Sequence, residues 1–297
     1  MRKGPLIFLS VVFIFFLVLI AQNSVKGDVG YVGTETCKGC HEEKYKSYTN
    51  SIHGNNYVSG NPASRDGCES CHGPGAEHVN KGGGKGGIIQ KAKQMAPNCQ
   101  SCHQDSKELT FWAMSKHKTN GVYCADCHSG HVKGKKNLKV AEPQLCYSCH
   151  KDIRAQVARQ SHHPINEGKV KCLDCHSPHG SFGKHMIRAD TNNELCYKCH
   201  PDKRGPFMFE HPPVEENCLN CHRPHGSNHN NLVVKKTPQL CQSCHDWSRH
   251  PGTPYDAFTM FQGPAPSNRG FSRNCSLCHP QIHGSNGPAS RGFRFLR

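Results

Sequence analysis

Aromatic residues make up only 8% of this 297-residue chain, and its mean hydropathy is −0.69. With 29 Gly, 19 Pro and 23 His, it has too little apolar surface for an ordinary core. Such a composition is disordered unless something else staples it. Methionine is sparse as well: beyond Met1 there are only Met95, Met114, Met186, Met208 and Met260. No cysteine precedes Cys37, so no thiol stands where a lipid anchor would be attached, and no second long apolar run follows the first. Asp and Glu number 22 against 37 Lys and Arg. The basic excess lacks the aromatic interleaving of a nucleic-acid surface, and no nucleic acid is expected as partner.

Cysteine, by contrast, is abundant and wholly ordered. All 20 cysteines fall in ten copies of Cys-x-x-Cys-His. The copies are Cys37, Cys40 and His41; Cys68, Cys71 and His72; Cys99, Cys102 and His103; Cys124, Cys127 and His128; and Cys146, Cys149 and His150. They continue with Cys172, Cys175 and His176; Cys196, Cys199 and His200; Cys218, Cys221 and His222; Cys241, Cys244 and His245; and Cys275, Cys278 and His279. This is the attachment signature of c-type haem, in which two thiols add across the porphyrin vinyl groups and the adjacent imidazole reaches the iron. A disulfide framework has no reason to place His after every second Cys, and a zinc ribbon takes its Cys pairs two at a time without that His.

Arg2 and Lys3 precede an apolar run from Leu6 to Ala21, followed by Val25-Lys26-Gly27. Charged start, apolar middle and small exit predict a signal peptide over 1–27, with a mature chain in the periplasm. Loss of Arg2, Lys3 and Lys26 lowers the net charge from +15 to +12. Ten haems would bring propionates worth on the order of −20, which use up most of that excess. They would also supply the missing apolar surface, with about 27 residues wrapped around each.

Thirteen histidines lie outside the motifs, and most follow a two-haem repeat. Five repeats run over 37–98, 99–145, 146–195, 196–240 and 241–297. Each has a motif, a spaced His, a second motif and a His shortly after it. The spaced histidines are His53, His117, His163, His211 and His250; the short-spaced ones are His78, His131, His179, His225 and His283. Ten distal candidates for ten irons predict bis-His ligation throughout, since methionine never recurs in register with the motifs. His53, His117 and His163 follow Ser by two positions, and His163, His211 and His250 precede Pro; His163 rather than His162 satisfies both. His162, His185 and His229 remain unassigned. Which iron each distal His reaches is not legible at this level.

The expected fold is mostly loops with short helices wrapped around the haems and little or no sheet. Asn193-Glu194-Leu195 and Pro238-Gln239-Leu240 look like starts of helices that carry a motif. The stretch from Lys81 to Gly87 reads as a solvated, flexible loop.

Several segments together identify a family. They are His162 to Val170, Cys-His-x-Pro-His-Gly-Ser at Cys175 and Cys221, Lys203-Arg204-Gly205-Pro206-Phe207, and His279-Pro280-Gln281-Ile282-His283-Gly284-Ser285-Asn286. With the ten motifs, they make the chain resemble the MtrA/DmsE-type decahaem c-type cytochromes over nearly its whole mature length. The resemblance implies an elongated haem wire with bis-His irons, inserted from the periplasm into an outer-membrane β-barrel porin. It further implies an external multihaem cytochrome as partner and periplasmic or inner-membrane cytochromes as electron donors. A free periplasmic shuttle is the alternative, and a multihaem nitrite- or hydroxylamine-type reductase a third reading. A reductase needs an iron with an open site, which a missing distal His or an altered motif would signal, and neither is seen. An electron carrier without catalytic residues is therefore expected.

Overall fold

The computed structural model describes residues 30–134, 136–245, 274–277 and 279–287. The expected signal peptide, His250 and Cys278 lie outside the described residues. The backbone is a succession of short helices and single turns joined by loops. Among the described residues no extended strand forms, only isolated antiparallel bridges. The chain divides into two compact units, one holding residues 30–105 and 121–139, the other 106–120 and everything described from 140 onward.

The helices exist to present motifs. In the first unit, helices α1 (Thr34–Cys40) and α2 (Glu42–Thr49) flank His41, and α3 (Ala92–His103) ends on the third motif. The fourth motif is one turn, α4 (Cys124–Cys127), whose start is closed by Asp126 accepting from the Tyr123 amide at 2.7 Å. In the second unit the turn α5 (Cys172–Cys175) repeats this device with Asp174 and the Lys171 amide at 2.8 Å. Helix α6 (Asn192–Tyr197) opens where Asn193-Glu194-Leu195 predicted a start, with the Thr191 hydroxyl accepting from the Glu194 amide. Helix α7 (Gln239–Gln242) begins after Pro238, where Pro238-Gln239-Leu240 predicted a start, with no side-chain cap. A side-chain acceptor at such a start satisfies an amide that the turn itself cannot.

The protein core is small. Among the described residues only Tyr48, Ala96, Trp112, Tyr147, Val157, Ile165 and Ile187 are buried hydrophobics. Tyr147, Val157 and Ile165 form one cluster, tied by Asn166, which accepts from the Tyr147 hydroxyl and donates to the Val157 carbonyl. So few apolar side chains cannot offset the ordering entropy of a chain this long, so burial has to come from the prosthetic groups. Among the described residues no helix is long and apolar enough to cross a membrane.

Candidate functional site

Each Cys-x-x-Cys-His motif is wound into one tight turn. At nine motifs the His amide donates to the carbonyl of the first Cys at 2.8–3.0 Å, and the remaining one, Cys99 to His103, lies inside α3. A bond spanning four residues brings the first Cys and the His to one face. The motifs also meet in a regular order. Within every repeat the first cysteines of the two motifs touch: Cys37 with Cys68, Cys99 with Cys124, Cys146 with Cys172, Cys196 with Cys218, and Cys241 with Cys275. Between repeats the second cysteines draw near, as in Cys71 with Cys102, Cys175 with Cys199 and Cys221 with Cys244. These thiols stand in for the thioether sulfurs of the haem-loaded chain.

The distal candidates face the proximal ones across a constant gap. His41 opposes His78, His72 opposes His131, His103 opposes His53 and His150 opposes His117, at ring-centroid separations of 6.1–6.2 Å. His200 opposes His163 at 6.4 Å, His176 opposes His225 at 6.0 Å, and His245 opposes His211 and His222 opposes His283 at 6.2 Å. An iron–imidazole bond of about 2 Å with about 1 Å more to each ring centre separates two axial rings by about 6 Å. The gap fits one six-coordinate iron. His128 and His179 lie in different compact units. His128 donates from Nδ1 to the Lys136 carbonyl at 2.7 Å, and His179 packs edge-on to Trp112.

The opposed rings are also in the right chemical form. Nδ1 of His72, His176 and His222 lies 2.8–3.1 Å from the carbonyls of Ile89, His185 and Asn231. The spaced histidines do likewise with the next repeat: His117 with Pro178, His163 with Pro224 and His211 with Ile282, at 2.6–3.0 Å. Such a carbonyl accepts a hydrogen bond from Nδ1–H, which fixes the tautomer whose Nε2 lone pair is free for a metal. Burial holds His53, His131, His176, His225 and His283 below the usual histidine pKa, so these rings are neutral at neutral pH.

His162 has no nitrogen to spare. Its Nδ1 lies 2.6 Å from the Arg159 carbonyl and its Nε2 3.1 Å from the Glu167 carboxylate, which raises its pKa. His185 lends its backbone carbonyl to His176, and His229 bonds Ser227 through its amide. The glycine-rich stretch wraps His78: the Gly83 amide donates to the His78 carbonyl at 2.8 Å and Nδ1 of His78 lies 3.3 Å from the Gly86 carbonyl. Sequence reasoning passed over Glu69, whose carboxylate is only 2% exposed inside the second motif. Its position between Cys68 and Cys71 was the only signal.

Comparison with known proteins points to the same motif chemistry. The doubled CXXCH motif family matches residues 117–155, 162–205 and 211–250, each match framing an even-numbered motif with the odd-numbered one after it. The multihaem cytochrome MtrA of Shewanella baltica is 39% identical over 282 residues, covering 91% of this chain and 84% of that protein. The polyhaem c-type cytochrome OmcB of Geobacter sulfurreducens is 26% identical over 205 residues, covering 59% of this chain and 26% of OmcB. Wound motifs, covalent haem attachment and likeness along nearly the whole length converge: this chain belongs to the MtrA-type multihaem c-type cytochromes, and it is an electron carrier rather than an enzyme.

Proposed function

We propose that the chain carries ten covalent haems, all bis-His, as the wire of an outer-membrane porin–cytochrome complex. Bound haem supplies reversible one-electron chemistry of iron, at the low potentials that two imidazoles favour. The eight opposed imidazole pairs carry this reading. Two imidazoles per iron leave no open position, so the sites pass electrons and do not bind substrates. The Nδ1–H to carbonyl bonds, where they form, fix the ligating tautomer and make those imidazoles stronger donors, which favours the ferric state.

The pairs obey one register. Odd-numbered motifs take the spaced His of the preceding repeat, as His200 takes His163; even-numbered motifs take the short-spaced His of the following repeat, as His176 takes His225. The first motif departs from this and takes His78 from its own repeat. By the same logic His250 is left for His279 in the last. Interlocked ligation ties each repeat to both neighbours, which suits a chain whose protein core is small.

Likeness to the MtrA-type cytochromes supports a chain sheathed by another protein, and a closed barrel with a polar lumen would admit so polar a chain through lipid. The partners are therefore an outer-membrane β-barrel, an external multihaem cytochrome and periplasmic or inner-membrane cytochrome donors. Proteoliposomes holding the barrel and this chain are expected to carry electrons from an internal reductant to an external oxidant, and the empty barrel to carry none. Quantitative release with the soluble periplasm, with no barrel recovered, would establish the free-shuttle reading instead.

A further inference from the structure

The Glu69 carboxylate is the most deeply buried acid among the described residues, and its acceptor set is complete. Oε1 accepts from the Gly75 amide at 2.7 Å and from the Val32 amide at 3.0 Å, while Oε2 accepts from the Gly33 amide at 2.9 Å and more weakly from Val32 at 3.2 Å. Both oxygens act only as acceptors, the pattern of an ionised carboxylate. Burying such a charge without partners costs several kcal/mol, so three amides aimed at it mark a built site.

Its placement is specific. Val32 and Gly33 lead directly into α1, which carries the first motif. Gly75 lies three residues before His78, the ring opposed to His41. Glu69 itself sits three residues before His72 and within electrostatic reach of Cys37. The surroundings leave no slack. A Cβ at Gly75 would stand 3.2 Å from Oε1, and one at Gly67 only 1.8 Å from the Thr34 hydroxyl. The Ala76 amide also donates to the Gly30 carbonyl at 2.9 Å, so segment 30–34 is laid along residues 67–76.

We propose that Glu69 is a positioning residue that binds the segment ahead of the first motif onto the second and, as a buried negative charge, holds the irons on His41 and His72 at low potential. The inference rests on the ligation proposed above. A fixed anion in a poorly screened site favours the more positively charged, oxidised iron on both sides of it. No other described motif encloses a buried acid: Asp126 and Asp174, at other motif positions, are not buried.

The test is a spectroscopic redox titration of the whole haem-loaded protein and of E69Q and E69D, with haem counted by intact mass. E69Q keeps the shape and removes the charge; about two-tenths of the absorbance change is expected to move to more positive potential. E69D keeps the charge and is expected to titrate like the parent. A ten-haem E69Q whose curve superimposes on the parent overturns the proposal, and so does an E69D that shifts as E69Q does. Hydrogen exchange on the unmodified protein gives a readout that no variant can spoil: the Val32, Gly33 and Gly75 amides are expected to be protected together, and rapid exchange at all three overturns the positioning role. If the parent protein itself shows high-spin iron, the bis-His reading fails, an outcome distinct from failure of the Glu69 proposal.

Discussion

The first repeat and the later ones solve one problem with different backbones. After His176 and His222 the chain turns back within nine residues through left-handed positions at His185, Met186, Asn231 and Leu232, and returns a carbonyl to Nδ1 of the motif histidine. After His72 the corresponding carbonyl belongs to Ile89, seventeen residues on, and the extra length is the glycine-rich stretch with positive φ at Gly82, Gly83, Gly84, Gly86 and Gly87. Glycine alone adopts such a run without strain. The detour holds His78 for the first motif of its own repeat, whereas the short-spaced histidines of the second, fourth and fifth repeats, His131, His225 and His283, turn to the repeat before. The spaced histidines differ too. His117, His163 and His211 each meet a carbonyl of the following repeat, while Nδ1 of His53, facing Gly130, is buried with no hydrogen-bond partner. The first repeat closes on itself through His41 and His78, and its long glycine-rich loop is what that closure uses.

The strongest way to break this comparison is to remove a distal ligand and ask which motif loses it. H225A and H78A are each expected to leave one-tenth of the iron open to carbon monoxide after reduction. In H225A the signal is expected to vanish when Cys172 and Cys175 are also replaced, and in H78A when Cys37 and Cys40 are. A carbon monoxide signal in H225A that survives loss of Cys172 and Cys175 but not of Cys218 and Cys221 would show that ligation stays within repeats.

A narrower test separates neighbours in one later repeat. H163A is expected to open one iron and H162A none, because both ring nitrogens of His162 are engaged by Arg159 and Glu167. Low-temperature electron paramagnetic resonance of the oxidised proteins checks it: a new high-spin signal is expected in H163A alone.

The smallest expected effects are on stability and sharpen the contrast between the two loop types. Gly226 follows His225 at φ +159°, where a Cβ would stand 2.0 Å from the Gln156 carbonyl; Gly87, at φ +68°, would place one 2.8 Å from the His78 amide nitrogen. G226A is expected to cost about 1–3 kcal/mol and G87A less, read as a lowering of the thermal midpoint by a few degrees. A larger loss in G87A would mean that the long loop of the first repeat is the tighter of the two.

Much of this protein is local and therefore legible in its sequence. Haem attachment needs five consecutive residues, so the ten motifs follow from spacing alone; the family was legible because particular segments, such as His162 to Val170 and His279 to Asn286, resemble it, and the loop-rich fold because Gly, Pro, Asn and Ser fill the stretches between motifs. The distal candidates could be named because one follows each motif before the next begins, with His78 and His250 the irregular members. Their pairing could not: His163 and His200 stand 37 residues apart, and contacts such as the bridge of Ser161 with Ser227 join residues of neighbouring repeats that are distant along the chain. Glu69 was hidden for the same reason, since a glutamate between two cysteines looks solvated until Val32, Gly33 and Gly75 converge on it. Covalent attachment is decided by sequence neighbours; axial pairing and the burial of one charge depend on segments that only the folded chain brings together.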